Sequence, residues 1–315
     1  MKIRFFDSFF KQRTVKEKIL IAFFIYSTVS FLIAVLSFFL FREMEKIENQ
    51  TSKVNDLFIK TLHALKYGQD FFVYDILNHD FYKSGMSPSL ASHDKMLYEV
   101  RKIADELNQL KDKTKSFAID QYLFSLNRIL KDYDSLYNLV TDKIRQRGID
   151  EFGLHGEMVI HTHQVANRIV NTPLIARLQT IKQYEKEYDL KQDSFYLNLV
   201  RAECSKLKEE ILKHPGFSQS TKEELISHLS SYQKNFQQIV LIDAQTGYRT
   251  QTGISFQLKI AVEVIDAIVS EIDDLAKKRK NQIISRLQVV MAIVVTFSVI
   301  LTLYLSLAFK FVINH

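Results

Sequence analysis

Residues 19–41 read ILIAFFIYSTVSFLIAVLSFFLF, and residues 287–309 read LQVVMAIVVTFSVILTLYLSLAF. Each stretch has 23 residues and no charged side chain. As a helix, each would span about 34 Å, enough for a bilayer core of about 30 Å. Both are apolar on every face, which argues against an ordinary core helix, and residues 19–41 exceed the apolar core of a typical signal peptide. The sequence therefore predicts transmembrane helices at 19–41 and 287–309.

The composition predicts an all-α protein that is not an enzyme. The 315 residues include eight Gly and three Pro, whereas an average chain of this length has roughly 35 to 40 of them, and strands and tight turns need these residues. Cys204 is the single cysteine, which excludes an intramolecular disulfide and a Cys-rich metal site. No Gly-rich phosphate loop or nucleophile elbow occurs. We expect no cofactor, and the dispersed net charge of +6 does not favour nucleic-acid binding.

The charges beside the two apolar stretches predict the orientation of the chain in the membrane. Residues 1–18 contain six basic and two acidic side chains, and basic flanks stay in the cytoplasm. We therefore expect a basic cytoplasmic tail at 1–18, an extracytoplasmic region at 42–286 and, at 310–315, the start of a cytoplasmic part that is cut short in this sequence. The basic residues at 277–280 lie on the outer side, but long loops are translocated largely regardless of charge.

The extracytoplasmic region is expected to be helical, because Leu, Lys, Glu, Ile and Gln dominate between a few Gly and Pro breaks. Thr172 followed by Pro173 predicts a helix start, and Ser220 with Glu223 predicts a capping box. The predicted helices are 42–84, 90–112, 116–147, 155–171, 173–213, 220–245 and 255–311.

Heptad stripes on the first and last of these helices predict core packing. Their spacing of three and four residues is typical of helical bundles. Because both stripes lie near the membrane, they also suggest a homodimer in which four membrane-adjacent helices, two from each chain, lie side by side. The stripes are Met44, Ile47, Thr51, Val54, Phe58, Thr61 and Leu65, and Leu258, Ala261, Ile265, Ile268, Ile272 and Leu275.

A faint internal repeat indicates two similar helical modules, divided near residues 148–156. Similar Lys- and Tyr-containing segments occur around residues 66 and 182. Polar side chains on otherwise apolar helices are costly to bury without partners, so some of them are candidates for a ligand pocket between helices. The alternative is that they face solvent or form salt bridges. The candidate ligand-binding residues are Lys66, Tyr67, Gln69, Lys182, Tyr184 and Lys186.

Four potential metal ligands fall within nine residues: His155, Glu157, His161 and His163. Glu157 and His161 share a helix face, whereas His163 points elsewhere. A zinc or copper site would need further ligands from other helices. Hydrogen bonding between helices and helix capping are the preferred interpretation, so no metal site is predicted.

Two motifs mark the second half of the chain. They comprise Gly153, Leu154, His155, Gly156, Glu157 and His163, and Glu185, Lys186, Glu187, Tyr188, Lys191, Asp193 and Tyr196. Together they resemble the helical bimodular sensor domain of bacterial chemoreceptors and sensor histidine kinases. The resemblance implies two stacked four-helix bundles across residues 42–286, anchored in the bacterial inner membrane. The chain differs from the family pattern at Val159, where the family has Arg, and at Lys182 and Gln183, where it often has Arg, and the ligand class stays open.

The sequence therefore predicts the input half of a transmembrane signalling protein. It would bind a small extracytoplasmic molecule and pass a helix displacement to a histidine kinase or chemotaxis domain beyond residue 315. The alternative is a membrane-anchored adaptor whose bundle binds another protein, such as a periplasmic binding protein.

Overall fold

The computed structural model describes residues 14–109, 117–247, 250 and 252–313. Within these ranges the secondary structure is helical and no strand occurs. The helices are α1 (Val15–Val73), a 3₁₀ turn (Asp75–Leu77), α2 (His79–Ser84), α3 (Pro88–Gln109), α4 (Phe117–Arg147), α5 (Gly153–Ile169), α6 (Leu174–Lys191), α7 (Phe195–Lys213), α8 (Gln219–Thr246) and α9 (Gly253–Ile313).

Two helices, α1 and α9, are long and apolar enough to cross a membrane. No residue of the most apolar window of either helix is buried, so neither window serves as the core of a soluble domain. Phe23 and Phe31 on α1, and Ile293 and Phe297 on α9, are largely exposed. Exposed aromatic and aliphatic side chains along a whole helix are expected where lipid replaces water.

The chain forms two compact units, and α1 and α9 each contribute to both. One unit contains α1 up to Asp56 and α9 from Ile272. Within it, Ile47 and Ile272 are buried, and Lys280 Nζ lies 3.8 Å from the Glu48 carboxylate. Core packing of the heptad stripes is thus confirmed at these positions, whereas Met44, on the same stripe as Ile47, is exposed.

The other unit, Leu57–Glu271, contains the remaining helices. In its C-terminal half, α5 packs on α8, α6 on α7, and α7 on α8, around one shared apolar core. The fully buried members of this core include Ile169 from α5, Ile181 from α6, Leu207 from α7 and Phe236 from α8.

In the N-terminal half of the same unit, α1, α3 and α4 contact one another. Lys60 on α1 forms an ion pair with Glu99 on α3. Phe71 on α1 lies 6.0 Å, centroid to centroid, from Tyr137 on α4. Helices α3 and α4 pack together through further contacts, among them a 2.9 Å ion pair between Arg101 and Asp134.

Two predicted helices are broken in the structure. The segment 173–213 divides into α6 and α7, because Gln192 adopts a left-handed backbone with φ 54° and the Asp193 side chain accepts a hydrogen bond from Phe195 N. The segment 42–84 divides into α1, the 3₁₀ turn and α2, where the Asn78 side chain accepts from Asp80 N. Asp and Asn in such turns imitate backbone turns, a signal as strong as Gly or Pro.

Both predicted helix starts also shift. The Thr172 hydroxyl does not cap α6; it donates to Ile169 O at 2.7 Å, at the end of α5. Ser218, rather than Ser220, is the N-cap of α8, and its hydroxyl accepts from Thr221 N at 3.2 Å.

Candidate functional site

Buried polar groups on α6 and α8 form the first part of the candidate site. Glu185 is buried, and its carboxylate accepts hydrogen bonds from Lys182 Nζ at 2.7 Å and from the Tyr232 hydroxyl at 2.5 Å. Lys182 Nζ also lies 5.9 Å from the centre of the Tyr232 ring. Burial, and secondly the charge of Glu185, raise the pKa of Tyr232 well above its ordinary value, so the phenol stays protonated and donates.

The structure places the other α6 candidates differently. Tyr184 is half-buried against the apolar core, whereas Lys186 is exposed to solvent. Lys182 is the candidate whose charge meets a buried partner, and Glu185 and Tyr232, which complete the cluster, were not among the predicted site residues. The signal for Glu185 was its position three residues after Lys182 and four after the core residue Ile181.

The α1 candidates do not enter the core. Lys66 and Gln69 are exposed, and Tyr67 is half-buried with its ring 6.2 Å from that of His63. Gly68, between them, is the residue that faces inward. A Cβ at this position would lie 2.7 Å from the Tyr133 hydroxyl and 3.2 Å from the Tyr137 ring. The absent side chain therefore allows α1 to approach the aromatic residues of α4 closely.

A buried His–Tyr–Tyr cluster lies beside Gly68. His93 on α3 is fully buried, stacks on the Tyr137 ring at 4.0 Å, and forms a 3.0 Å hydrogen bond through Nε2 with the Tyr133 hydroxyl. Its Nδ1 lies 3.0 Å from the Asp94 carboxylate. Burial is the main cause that lowers the pKa of His93, so the imidazole is neutral at pH 7.

Two hydroxyls on the same face of α4 are buried without a hydrogen-bond partner in the part of the chain that the structure describes: Tyr137 Oη and Thr141 Oγ1. Buried polar atoms are normally satisfied by protein, water or a ligand. Only two features of the sequence indicate this cluster: an isolated glycine inside a helix, and the four-residue spacing of Tyr133, Tyr137 and Thr141.

A buried ion-pair triad connects α4 with α6 and α8. Arg147 donates from Nε to Asp243 at 2.7 Å and from Nη2 to Asp189 at 2.8 Å. The Tyr188 hydroxyl donates to the second Asp243 oxygen at 3.2 Å. Charges removed from water must be compensated by partners, so this triad holds the end of α4 in place against the α5–α8 core. Sequence reasoning missed it, because the three charges are far apart in the chain.

The four possible metal ligands are distributed among different partners. His155 Nδ1 lies 3.0 Å from Asp150 O, and Glu157 accepts from Asn235 at 2.9 Å. His161 lies beside His228 on α8, and His163 is exposed. No group of three or more His, Cys, Asp or Glu side chains arranged for a metal ion occurs among the residues placed in the structure.

Several residues that carry the family resemblance lie where the backbone packs closely, where φ is positive or where the side chain is buried. A Cβ on Gly156 would lie 2.2 Å from the backbone of Glu151, and Gly153 has φ 60°. Glu185 and Tyr188 are buried. Comparisons with protein-family models, with curated proteins and with solved structures found no match to this chain. The features that bear on function are therefore the two long apolar helices and the buried polar groups.

Proposed function

We propose that the chain is the transmembrane input half of a bacterial signal receptor, a sensor histidine kinase or a chemoreceptor. It binds a small molecule outside the cytoplasmic membrane and passes a displacement of α1 and α9 to a cytoplasmic output domain. The observation that carries the proposal is that both apolar helices continue without a break into the helical region. In this proposal the chain itself catalyses nothing, and the homodimer is the working form.

Helix continuity supports the proposed transmission. Helix α1 contains the first apolar segment and, further along, the buried residues Val54 and Phe71. Helix α9 contains the buried residues Leu258 and Ile265 before the second apolar segment. A continuous helix passes on a small slide, tilt or rotation, whereas a Gly-rich joint would absorb it. A ligand acts through such an element only if it binds its two positions with different affinity.

In the proposed architecture, α5–α8 form one four-helix bundle, and α1, α3, α4 and α9 form a second, stacked at the Arg147 triad. Bundle cores are where ligand sites occur in such proteins, built from side chains on facing helices. Two places offer unusual polar groups. One is Lys182 with Glu185 and Tyr232. The other is beside His93, where the Tyr137 and Thr141 hydroxyls have no hydrogen-bond partner among the described residues. A ligand that engages Lys182 must compete with Glu185 for the ammonium.

The proposed dimer uses the outward faces of the helices, because Ile47 and Ile272 are already buried within one chain. Phe256, Ile260 and Val264 follow one another at four-residue spacing on α9, and all three are exposed. This stripe is the surface that we assign to the second copy.

The experiment is a ligand screen on the whole chain in lipid nanodiscs. Small acids, amines, amino acids, sugars and metal ions are tested for a rise in the thermal midpoint, which ligand binding to the folded state must produce. Lys182→Ala should weaken ligand binding by about 1.5–3 kcal/mol, roughly 10- to 150-fold, whereas Lys186→Ala, at an exposed position, should leave it unchanged. The matched control is Lys213→Ala, an exposed lysine that forms an ion pair with Glu209 on the same helix. Unchanged affinity in Lys182→Ala would remove this residue from the site.

The adaptor function is favoured by one observation. Leu190 and Phe195, at the connection between α6 and α7, expose 78% and 57% of their surface, as protein-binding surfaces do. If no small molecule stabilises the chain, while a binding protein does and Leu190→Asp abolishes that effect, the adaptor is the better description.

A further inference from the structure

Two histidines from different helices face each other in the α5–α8 region. His161 lies on α5 and His228 on α8, and their Nδ1 atoms are 3.1 Å apart. Both side chains are half-buried, with rings 5.3 Å apart between centroids. In the neutral pair, one Nδ1 donates its proton and the other accepts it. The two imidazoles therefore place one nitrogen lone pair and one exchangeable proton between two helices that share a core.

Acidic groups lie beside the pair. The Glu224 carboxylate is 4.0 Å from His228 Nε2 and is itself 3.5 Å from Arg168 Nη2. A carboxylate near Nε2 favours the tautomer with the proton on that nitrogen, which leaves Nδ1 of His228 as a lone-pair donor. Glu157 lies one turn before His161 and raises the pKa of that imidazole by its charge, a smaller effect than burial.

The imidazole of His161 is neutral at pH 7. Burial, and secondly the neighbouring His228, lower its pKa below the ordinary value. A neutral imidazole is the form that binds metal ions, because the ligating nitrogen must carry a free lone pair.

We propose that His161 and His228 form a two-histidine site for a divalent transition-metal ion of the zinc, nickel and copper class. With metal–nitrogen bonds of about 2.0–2.1 Å, two nitrogens on one metal ion lie about 2.9 Å apart when the N–metal–N angle is 90°, and about 3.4 Å apart when that angle is tetrahedral. The observed 3.1 Å falls between these values. The metal replaces the shared proton, and water fills the remaining positions on the half-exposed side.

Imidazole favours zinc, nickel and copper over magnesium and calcium, which prefer oxygen ligands. The site requires only that α5 and α8 pack as described, and it does not depend on a signalling role. Two protein ligands give a weaker site than the three or four of enzymes or structural zinc domains, so the experiment uses copper(II), which binds nitrogen ligands most tightly among these ions.

The test uses the whole chain in nanodiscs, purified with an affinity tag that contains no histidine. One equivalent of Cu²⁺ is added, and the electron paramagnetic resonance spectrum should show hyperfine splitting from two imidazole nitrogens. His161→Ala and His228→Ala should each abolish the two-nitrogen signal. His163→Ala, an exposed histidine two residues from His161 on the same helix, is the matched control and should keep it. In a competition titration with a zinc chelator, His161→Ala and His228→Ala should bind zinc more weakly than wild type, whereas His163→Ala should bind it as wild type does.

The proposal is overturned if wild type lacks the two-nitrogen signal, or if either His161→Ala or His228→Ala retains it. Far-UV circular dichroism checks that each variant is folded. If an alanine variant unfolds, His161→Asn and His228→Asn replace it, since Asn retains polarity at half-exposed positions. Failure here leaves the receptor proposal standing, because the organic ligands of its screen are detected by thermal shift and tested with Lys182→Ala, and neither depends on the two histidines.

Discussion

At Gly68 a hydrogen atom in place of a side chain lets α1 pack against the aromatic residues of α4. This point is surrounded by Tyr133, Tyr137 and His93, and the Tyr133 hydroxyl is hydrogen-bonded to His93. A methyl group here meets a hydroxyl that is fixed by its hydrogen bond, so the contact cannot be relieved by a simple side-chain rotation. Individual residues of this kind decide how closely helices pack.

Gly68→Ala should lower the thermal midpoint of the chain in nanodiscs. Overpacking of a core costs about 1–3 kcal/mol, and the better helix propensity of Ala returns up to about 1 kcal/mol. Because the 2.7 Å contact places this cost in the upper part of the range, at about 2–3 kcal/mol, we expect a net loss of about 1–2 kcal/mol. Gln69→Ala, on the exposed side of the same turn, should change stability by less than about 0.5 kcal/mol. A Gly68→Ala protein as stable as wild type would contradict the close packing described here.

Arg147→Met should destabilise the chain strongly, because it leaves Asp243 buried without its cation. Removing one partner of a buried ion pair costs about 3–5 kcal/mol. Thermal unfolding of this variant is compared with that of Arg201→Met, where the arginine is exposed. Adding Asp243→Asn to Arg147→Met should restore part of the loss, since the uncompensated charge is removed. Equal midpoints for Arg147→Met and Arg201→Met would show that the triad contributes little.

His93 should make stability depend on pH below neutrality. Its pKa is lowered in the folded chain from 6.5 by burial, so on acidification the unfolded chain binds the proton first. The stabilisation is fully present above about pH 6.5 and is lost as the pH falls below that value toward the folded pKa. Asp94 and Asp134 oppose this lowering by their charge, and Arg101 adds to it.

The measurement is the difference in thermal midpoint between pH 7.5 and pH 5.5. His93→Gln should show a smaller difference than wild type, because Gln cannot take up the proton. His161, whose pKa is lowered too, contributes equally to both proteins and cancels. An unchanged difference in His93→Gln would mean that His93 does not titrate differently in the folded and unfolded chain.

At the scale of elements, composition and periodicity predicted the helices and the two apolar segments well. The break at Gln192 was missed, since no Gly or Pro marks it. The chain turns there because the Asp193 side chain accepts a hydrogen bond from the backbone N–H of Phe195. Without this break the C-terminal half of the larger unit would have three helices rather than four. The predicted helix starts were less accurate. Several Ser and Thr residues could serve as the N-cap at each start, and tertiary contacts decide which of them does.

The candidate site was predicted less well than the helices. Lys182 was found from its unusual position on an apolar helix, but Lys66, Lys186 and Gln69 face solvent. Whether a polar side chain faces the core depends on the rotation of its helix, and a stripe read from one sequence does not fix that rotation to within one residue. The partners of buried charges, such as Asp243 for Arg147, lie 96 residues away, and no local pattern identifies them.

At the scale of the whole molecule, the receptor proposal depends on which side of the membrane the helical region occupies. Basic residues precede the first apolar segment, but others lie just before the second, at 277–280. Because the region between the two segments is long, the second group has less weight in setting the orientation. If the helical region were cytoplasmic, it could not bind an extracytoplasmic ligand, and the proposed direction of signalling would be reversed.

The most direct test of the receptor proposal is cysteine labelling of the whole chain in intact bacterial spheroplasts. Cys204 is replaced by Ser; it is buried, and burial raises its pKa to about 12. Single cysteines are then placed at the exposed residues Ser230 and Thr14. We expect a membrane-impermeant maleimide to label Ser230→Cys directly and Thr14→Cys only after permeabilisation. Direct labelling of Thr14→Cys with protection of Ser230→Cys would contradict it.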